Sequence, residues 1–307
     1  MIEVKNLKKS YSAITALDGV NLSIHAGEFY GLLGPNGAGK TTAISIMSTI
    51  LNADSGQVLI GNYDTKTEPL KVKQLIGVVP QEIALYEELS AYENLLFWGS
   101  LYKIQHKEIS RRANELLMLL GLLDRKDDKI KNYSGGMQRR INIAAALLHR
   151  PKVLFLDEPT VGIDPQSRNL IFEVADSLHR QGMTIIYTTH YMEEAERLCN
   201  RIGIIDNGKI IAEGNMEELK RTTSAKDAIA ITFANHQEIA IKQMTDFWPE
   251  IKQLGATTLF LSKDVNSDLA EIVSKCQKSA WEIASIEIQK TNLETIFLNL
   301  TGKQLRD

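Results

Sequence analysis

Residues Gly34 to Thr41 read Gly-Pro-Asn-Gly-Ala-Gly-Lys-Thr and fit the pattern G-x-x-x-x-G-K-[ST]. That spacing suits the holding of a phosphate. Gly34, Gly37 and Gly39 let the backbone curl, with Pro35, Asn36 and Ala38 between them, so that several N–H groups face one anion. A helix starting at Lys40 adds the positive end of its dipole. The Lys40 ammonium reaches the β- and γ-phosphates of a nucleotide, and the Thr41 hydroxyl is an oxygen ligand for Mg²⁺. Asp157 and Glu158 end a second apolar run, Val153 to Leu156. Ligands of open parallel sheets sit at the carboxyl ends of the strands. Asp157 is therefore expected to hold Mg²⁺ through water, and Glu158 to stand near the γ-phosphate and polarise an attacking water. His190 ends a third such run, Thr184 to Thr189, and can donate a hydrogen bond to the same phosphate. Ser134, Gly135 and Gly136 open another helix with a serine cap and exposed N–H groups. They form a second anion cradle without a lysine of its own, which suggests that it grips the nucleotide of another copy.

The elements that position these groups follow from the apolar pattern. Gly31 to Leu33 is a buried strand leading into the loop, and Thr41 to Leu51 is compatible with a helix. Short strands are expected at Ile2 to Val4, Val20 to Ile24, Gln57 to Ile60 and Ile76 to Val79, with a turn at Ser55-Gly56. From Gln81 to about Tyr133, apolar residues recur at helical spacing, and Ser90 with Glu93 is a capping-box start. This stretch reads as a helical insertion. Further helices are expected over Met137 to His149, Arg168 to Arg180 and Met192 to Cys199. The strands Ile202 to Ile205 and Lys209 to Ala212 flank Asn207-Gly208, a hairpin signal. A polar linker near Gly214 to Ala225 marks a boundary. Beyond it come a strand at Ala228 to Phe233, a helix at Gln237 to Thr245, strands at Ile251 to Leu254 and Thr257 to Leu261, a helix at Ser267 to Gln277, a strand at Trp281 to Ile288 and a helix at Asn292 to Leu300. That order suits a small ferredoxin-like sandwich.

Composition narrows the partners. The 307 residues are 44% hydrophobic and 24% charged, which is ordinary for globular chains of one or two domains. A net charge of −3 disfavours a dedicated nucleic-acid binder. Cys199 and Cys276 show no metal-ligand spacing, so reduced thiols and a cytosolic setting are expected. The first residues, Met1 to Lys5, lack the apolar core of a signal peptide. No run approaches the length of about 20 apolar residues that a spanning helix needs.

Taken together, the motifs resemble those of the ATP-binding subunits of ABC transporters, across roughly residues 1 to 217. The phosphate loop runs from Gly34 to Thr42. Gln81 matches the family's Q-loop glutamine, and Tyr133 to Met137 resembles the signature sequence. Val153 to Glu158 resembles the Walker B strand, Gly162-Ile163-Asp164 the D-loop, and His190 the switch histidine. Tyr11 stands where the family places an adenine-stacking ring. Met137 departs from the usual glutamine, and Tyr133 from the commoner leucine.

The resemblance implies an α/β P-loop NTPase with an antiparallel β subdomain and a helical insertion at about residues 82–150, followed by an α+β domain at residues 218–307. It also implies ATP and Mg²⁺ as cofactors, with Gln81 near the metal and the γ-phosphate. Two ATPs would be sandwiched head to tail between two like subunits, a homodimer or a pair. Each would lie between one phosphate loop and the partner's signature serine and glycines. The insertion would dock on a membrane permease at the cytoplasmic face. The segment Asn292 to Gly302 is similar to the C-terminal end of subunits serving ABC-2-type export permeases. The competing expectation is a soluble ABC ATPase acting on DNA or ribosomes. The interval between Lys40 and Ser134 holds a compact helical pattern in place of a long coiled coil, and the chain carries one ATP module. Both features favour the transporter reading.

Overall fold

A computed structural model of the chain describes residues 1–223, 226–234, 244, 248, 250–254, 257–262, 264–279 and 281–301. It divides into two compact units, Met1–Met216 and Glu217–Gln304.

The first unit is built on a six-stranded sheet. Its strands are β3 (Phe29–Leu33), β6 (Ile76–Val79), β7 (Val153–Asp157), β8 (Thr184–Thr189), β9 (Arg201–Asp206) and β10 (Lys209–Gly214). The order is β10-β9-β3-β8-β7-β6. All pairs are parallel except β9–β10. The parallel register sets Leu33 beside Thr189, Asp157 beside Thr188, and Val79 beside Leu156. The loops that leave β3, β6, β7 and β8 therefore emerge at one edge.

Strands β3, β7 and β8 are buried on both faces, and their successive side chains point to opposite sides. Val153 and Phe155 of β7 join Tyr30, Leu32 and Ile186 in one core. That core is covered by helix α1 (Lys40–Met47) and by an antiparallel sheet. Leu154 and Leu156 join Phe29, Ile185 and Tyr187 in the other core. There they pack against α3 (Ala91–Leu101), α4 (His106–Leu119), α5 (Gly135–Leu147) and α6 (Pro165–Arg180). The Ser90 cap is formed: its hydroxyl accepts from Glu93 N, and the Glu93 carboxylate accepts from Ser90 N. The Asn207-Gly208 hairpin has positive φ at both central residues, +46° and +75°.

The antiparallel sheet runs β2-β1-β4-β5 and departs most from the sequence expectation. Strands β1 (Ile2–Tyr11) and β2 (Ile14–Ile24) are far longer than Ile2 to Val4 and Val20 to Ile24. Their outer arms carry the exposed Lys8, Ser10, Ile14 and Thr15 and the partly buried Lys9 and Ala16, so no clean apolar alternation marks them. The expected turn at Ser55-Gly56 lies instead at the start of β4 (Ser55–Ile60). There Gly56 takes φ +94°, where a Cβ would stand 2.4 Å from Asn6 O. Helix α2 (Pro69–Leu75), which follows the two-residue strand β5 (Tyr63–Asp64), buries only Val72 and so leaves no periodic signal.

Thr49, after α1, holds φ +64°, and its Oγ1 is buried without a hydrogen-bond partner. A β-branched residue is strained there. Thr49→Gly is expected to raise unfolding stability by about 1 kcal/mol, read as an upward shift of the denaturation midpoint. No gain would mean that the backbone is relaxed at this position.

Helix α7 (Met192–Leu198) follows β8. Helix α8 (Met216–Thr222) runs across the unit boundary. The second unit holds a four-stranded antiparallel sheet of order β12-β13-β11-β14. Its strands are β11 (Asp227–Phe233), β12 (Ile251–Leu254), β13 (Thr257–Ser262) and β14 (Ile283–Gln289). Helices α9 (Val265–Lys278) and α10 (Leu293–Thr301) complete it. Ile229, Ile231, Phe260 and Ile272 form its core. The helix expected at Gln237 to Thr245 lies outside the described residues, apart from Met244. Among the described residues no helix is long and apolar enough to cross a membrane.

Candidate active site

The loop between β3 and α1 places Lys40 at the first helical position, 4% exposed. Its Nζ donates to Gly34 O at 2.8 Å and Pro35 O at 3.1 Å, and stands 3.0 Å from Glu158 Oε1. Helix α1 has no side-chain cap, so the N–H groups of its first turn remain available to an anion. A Cβ on Gly34 would stand 2.3 Å from Ile205 O, and one on Gly39 2.5 Å from Ala16 O. A Cβ on Gly37 would meet nothing within 4 Å, so that part of the loop faces open space.

Asp157 is the last residue of β7, and Glu158 follows it at φ +44°. Left-handed backbone is uncommon for glutamate. It is held here by Thr188: the Glu158 N–H donates to Thr188 Oγ1 at 2.9 Å. Thr188 Oγ1 in turn donates to Asp157 Oδ1 at 2.5 Å. The Glu158 carboxylate thereby meets three groups from three loops. Lys40 is at Oε1, while Gln81 Nε2 and His190 Nδ1 each stand 3.4 Å from Oε2. The His190 contact is not aligned as a hydrogen bond. Burial pushes the Asp157 carboxyl above the usual range, and the Glu158 charge adds to this; the Thr188 and Thr41 hydroxyls and Lys40 pull the other way. The Thr41 hydroxyl is near enough to the Asp157 carboxyl to pull its pKa down. A buried carboxylate beside a hydroxyl is an oxygen donor pair that suits Mg²⁺. Among the described residues no group of three or more His, Cys, Asp or Glu is placed to hold a metal ion.

Arg139 and Asn142, which no sequence motif marks, hold the segment from Pro80 to Ala84 that carries Gln81. Arg139, on α5 and 4% exposed, donates through Nη1 to Pro80 O and through Nη2 to Gln81 O. Asn142 accepts from Ala84 N at 3.2 Å and donates to Glu82 O at 3.4 Å. The loop after β6 is thus fastened to the helix that Ser134 begins. Burial lowers the Arg139 pKa, against the pull of Asp157.

Ser134 caps α5 by accepting from Met137 N at 3.3 Å. A Cβ on Gly135 would meet nothing within 4 Å, whereas one on Gly136 would stand 2.2 Å from Ser167 Oγ. Gly135 therefore faces open space while Gly136 packs on α6. Tyr11 is 46% exposed at the end of β1, with Lys9 Nζ 5.7 Å from its ring centroid. Among the described residues no hydrogen bond or ion pair joins Tyr11 or Ser134 to Gly136 to the Lys40–Glu158 cluster. The cluster draws together Lys40, Thr41, Gln81, Asp157, Glu158 and His190.

A phosphate loop, a strand-end pair of carboxylates and a strand-end histidine on this sheet define a P-loop nucleoside triphosphatase. Residues 17–161 match the family described as ABC transporter. The chain is 45% identical over 315 residues to the linearmycin resistance ATP-binding protein LnrL of Bacillus subtilis (strain 168), covering 100% of both. It is 34% identical to the Nod factor export ATP-binding protein I of Cupriavidus metallidurans, covering 100% of this chain and 99% of that one. The solved structure of the ATP-binding cassette MJ0796, a dimer in a post-hydrolysis state bound to ADP and Pi, superposes with a TM-score of 0.66 at 31% identity. That match covers 70% of this chain and 99% of the other. The chain belongs to the ABC transporter family of ATP-binding subunits, and it is an ATP-hydrolysing enzyme.

Proposed function

We propose that the chain energises export through a separate ABC-2-type membrane permease from the cytoplasmic face of the membrane, working as one of two like ATPase subunits. The observation that carries the reading is the Glu158 carboxylate held among Lys40, Gln81 and His190. The export function named for the Cupriavidus relative agrees with it.

ATP binds with its β- and γ-phosphates on the N–H groups of Gly34 to Thr42, its adenine against Tyr11 and its far side under the partner's signature serine and glycines. A γ-phosphate arriving beside Lys40 gives the ammonium a second anion. Glu158 is then released to accept a proton from a water lined up on the phosphorus. His190 donates to the γ-phosphate. Thr41, Asp157 and Gln81 would hold Mg²⁺, which would supply positive charge against the phosphates. Lys40 and the loop dipoles stabilise the charge of the transition state.

The permease meets a cleft of about 310 Å³ beside this loop, lined by Ile50, Lys73, Pro80, Ala84, Trp98 and Tyr102. Occupancy of the site reaches it through Gln81 and the Arg139 clamp. The C-terminal unit, residues 218–307, is an accessory domain, and its strand order supports a ferredoxin-like sandwich.

Ala84→Glu places a charge in that apolar cleft. The chain is expected to sediment with membranes when the permease is co-produced, and the Ala84→Glu variant to stay in the supernatant with its basal ATP turnover intact. Copurification with nucleic acid in place of a membrane protein would contradict the proposal.

A further inference from the structure

A buried carboxylate lies on the face of β8 opposite the phosphate loop. Glu194, in the first turn of α7, is 4% exposed. Three hydroxyls converge on it. Thr160 Oγ1 is 2.8 Å from Oε1 and 3.0 Å from Oε2, Tyr187 Oη donates to Oε2 at 2.8 Å, and Thr189 Oγ1 donates to Oε2 at 3.0 Å. All three donors are themselves buried. An ionised carboxylate only accepts, so each hydroxyl rotor is turned inward by it. Burial excludes water, which leaves these donors to satisfy the charge.

The donors are placed at the two loops that must meet for chemistry. Thr160 lies two residues after Glu158, inside the turn that Val161 N closes by donating to Glu158 O at 3.4 Å, and it starts the next turn, with Ile163 N donating to Thr160 O at 3.2 Å. Thr189 precedes His190, and its Oγ1 also accepts from Tyr191 N at 2.9 Å. One threonine hydroxyl therefore ties the backbone on the far side of His190 to Glu194. Pleat alternation puts Tyr187 and Thr189 on the Glu194 side, and Thr188 on the side of Asp157 and Glu158.

We propose that Glu194 is a positioning residue for ATP hydrolysis, clamping the turn after Glu158 to the turn around His190 and so setting the distance between those two groups. It rests on the assignment of Glu158 and His190 to the hydrolytic step. The same clamp reaches Val161 to Asp164, the segment that begins at Thr160.

Glu194→Gln keeps the shape and removes the acceptor-only charge. ATP turnover by the full chain is expected to fall about tenfold or more in kcat, with KM for ATP within about threefold of wild type. Thr189→Val and Tyr187→Phe each delete one donor without changing size, and both donors are equally buried. Thr189→Val is expected to lower kcat several-fold, and more than Tyr187→Phe, because only Thr189 adjoins His190. Added to Glu194→Gln, it should cost little further, since both changes break one clamp. A residue that only stabilises the fold would lower the unfolding midpoint of both donor deletions and leave kcat of the folded enzyme unchanged. Should Glu194→Gln fail to fold, Thr189→Val carries the test. The proposal is overturned if folded Glu194→Gln and Thr189→Val turn over within about twofold of wild type, or if KM rises in step with the loss of kcat. It is also overturned if the two donor deletions are equal. Normal turnover in Glu158→Gln would instead remove the underlying assignment, and the proposal with it.

Discussion

Glu158→Gln is expected to bind ATP as the wild type does and to hydrolyse it about 10²- to 10³-fold more slowly. The amide keeps the size of the side chain and can still bond Gln81 or His190, but it cannot take a proton from water. The contacts that hold phosphate belong to the Gly34 to Thr42 loop and are unaffected. An ATP sandwich that cannot turn over should persist. Size-exclusion chromatography with ATP is therefore expected to show a dimer for this variant, and a monomer once ATP is replaced by ADP. Turnover at the wild-type rate would remove Glu158 from the hydrolytic role.

Lys40→Met should act on both binding and folding. The Lys40–Glu158 pair is buried on both sides, with side chains 4% and 7% exposed. Deleting the cation leaves the carboxylate with only longer contacts to Gln81 and His190, and breaking such a pair costs about 3 kcal/mol or more. The same carboxylate then faces the incoming γ-phosphate with no positive charge between them. ATP binding, followed by fluorescent nucleotide titration, should fall by about 10²-fold or more, and turnover should be lost. The double variant Lys40→Met/Glu158→Gln separates the two effects: the unfolding midpoint should recover, and the activity should not. An unchanged midpoint in Lys40→Met would show that Glu158 is satisfied without the ion pair.

The strand-end residues were legible because each ends an unbroken apolar run. Asp157, Glu158 and His190 could be placed at one sheet edge from the parallel pattern alone. Their convergence on a single carboxylate depends on register, such as Asp157 beside Thr188, which no local pattern carries. Arg139 and Asn142 sit on a helix whose role in the sequence was to follow Ser134. Their grip on the residues from Pro80 to Ala84 arises only when α5 packs under that loop. Glu194 reads in sequence as one of several acids near a helix start, and only burial among Thr160, Tyr187 and Thr189 distinguishes it. The long arms of β1 and β2 were hidden for the opposite reason. They are held by ladder hydrogen bonds to each other while their side chains remain largely exposed.

In the proposed dimer, the Lys40 loop of one copy is completed by Ser134 of another. This arrangement is tested most directly by mixing two inactive variants, Lys40→Met and Ser134→Arg, under conditions that let subunits exchange. Each alone has no intact site. In a mixed dimer, one site pairs an unaltered Lys40 loop with an unaltered Ser134 region. Random exchange should restore roughly a quarter of wild-type ATP turnover, from half the dimers with one working site each. A mixture that stays as inactive as its components would contradict the shared site.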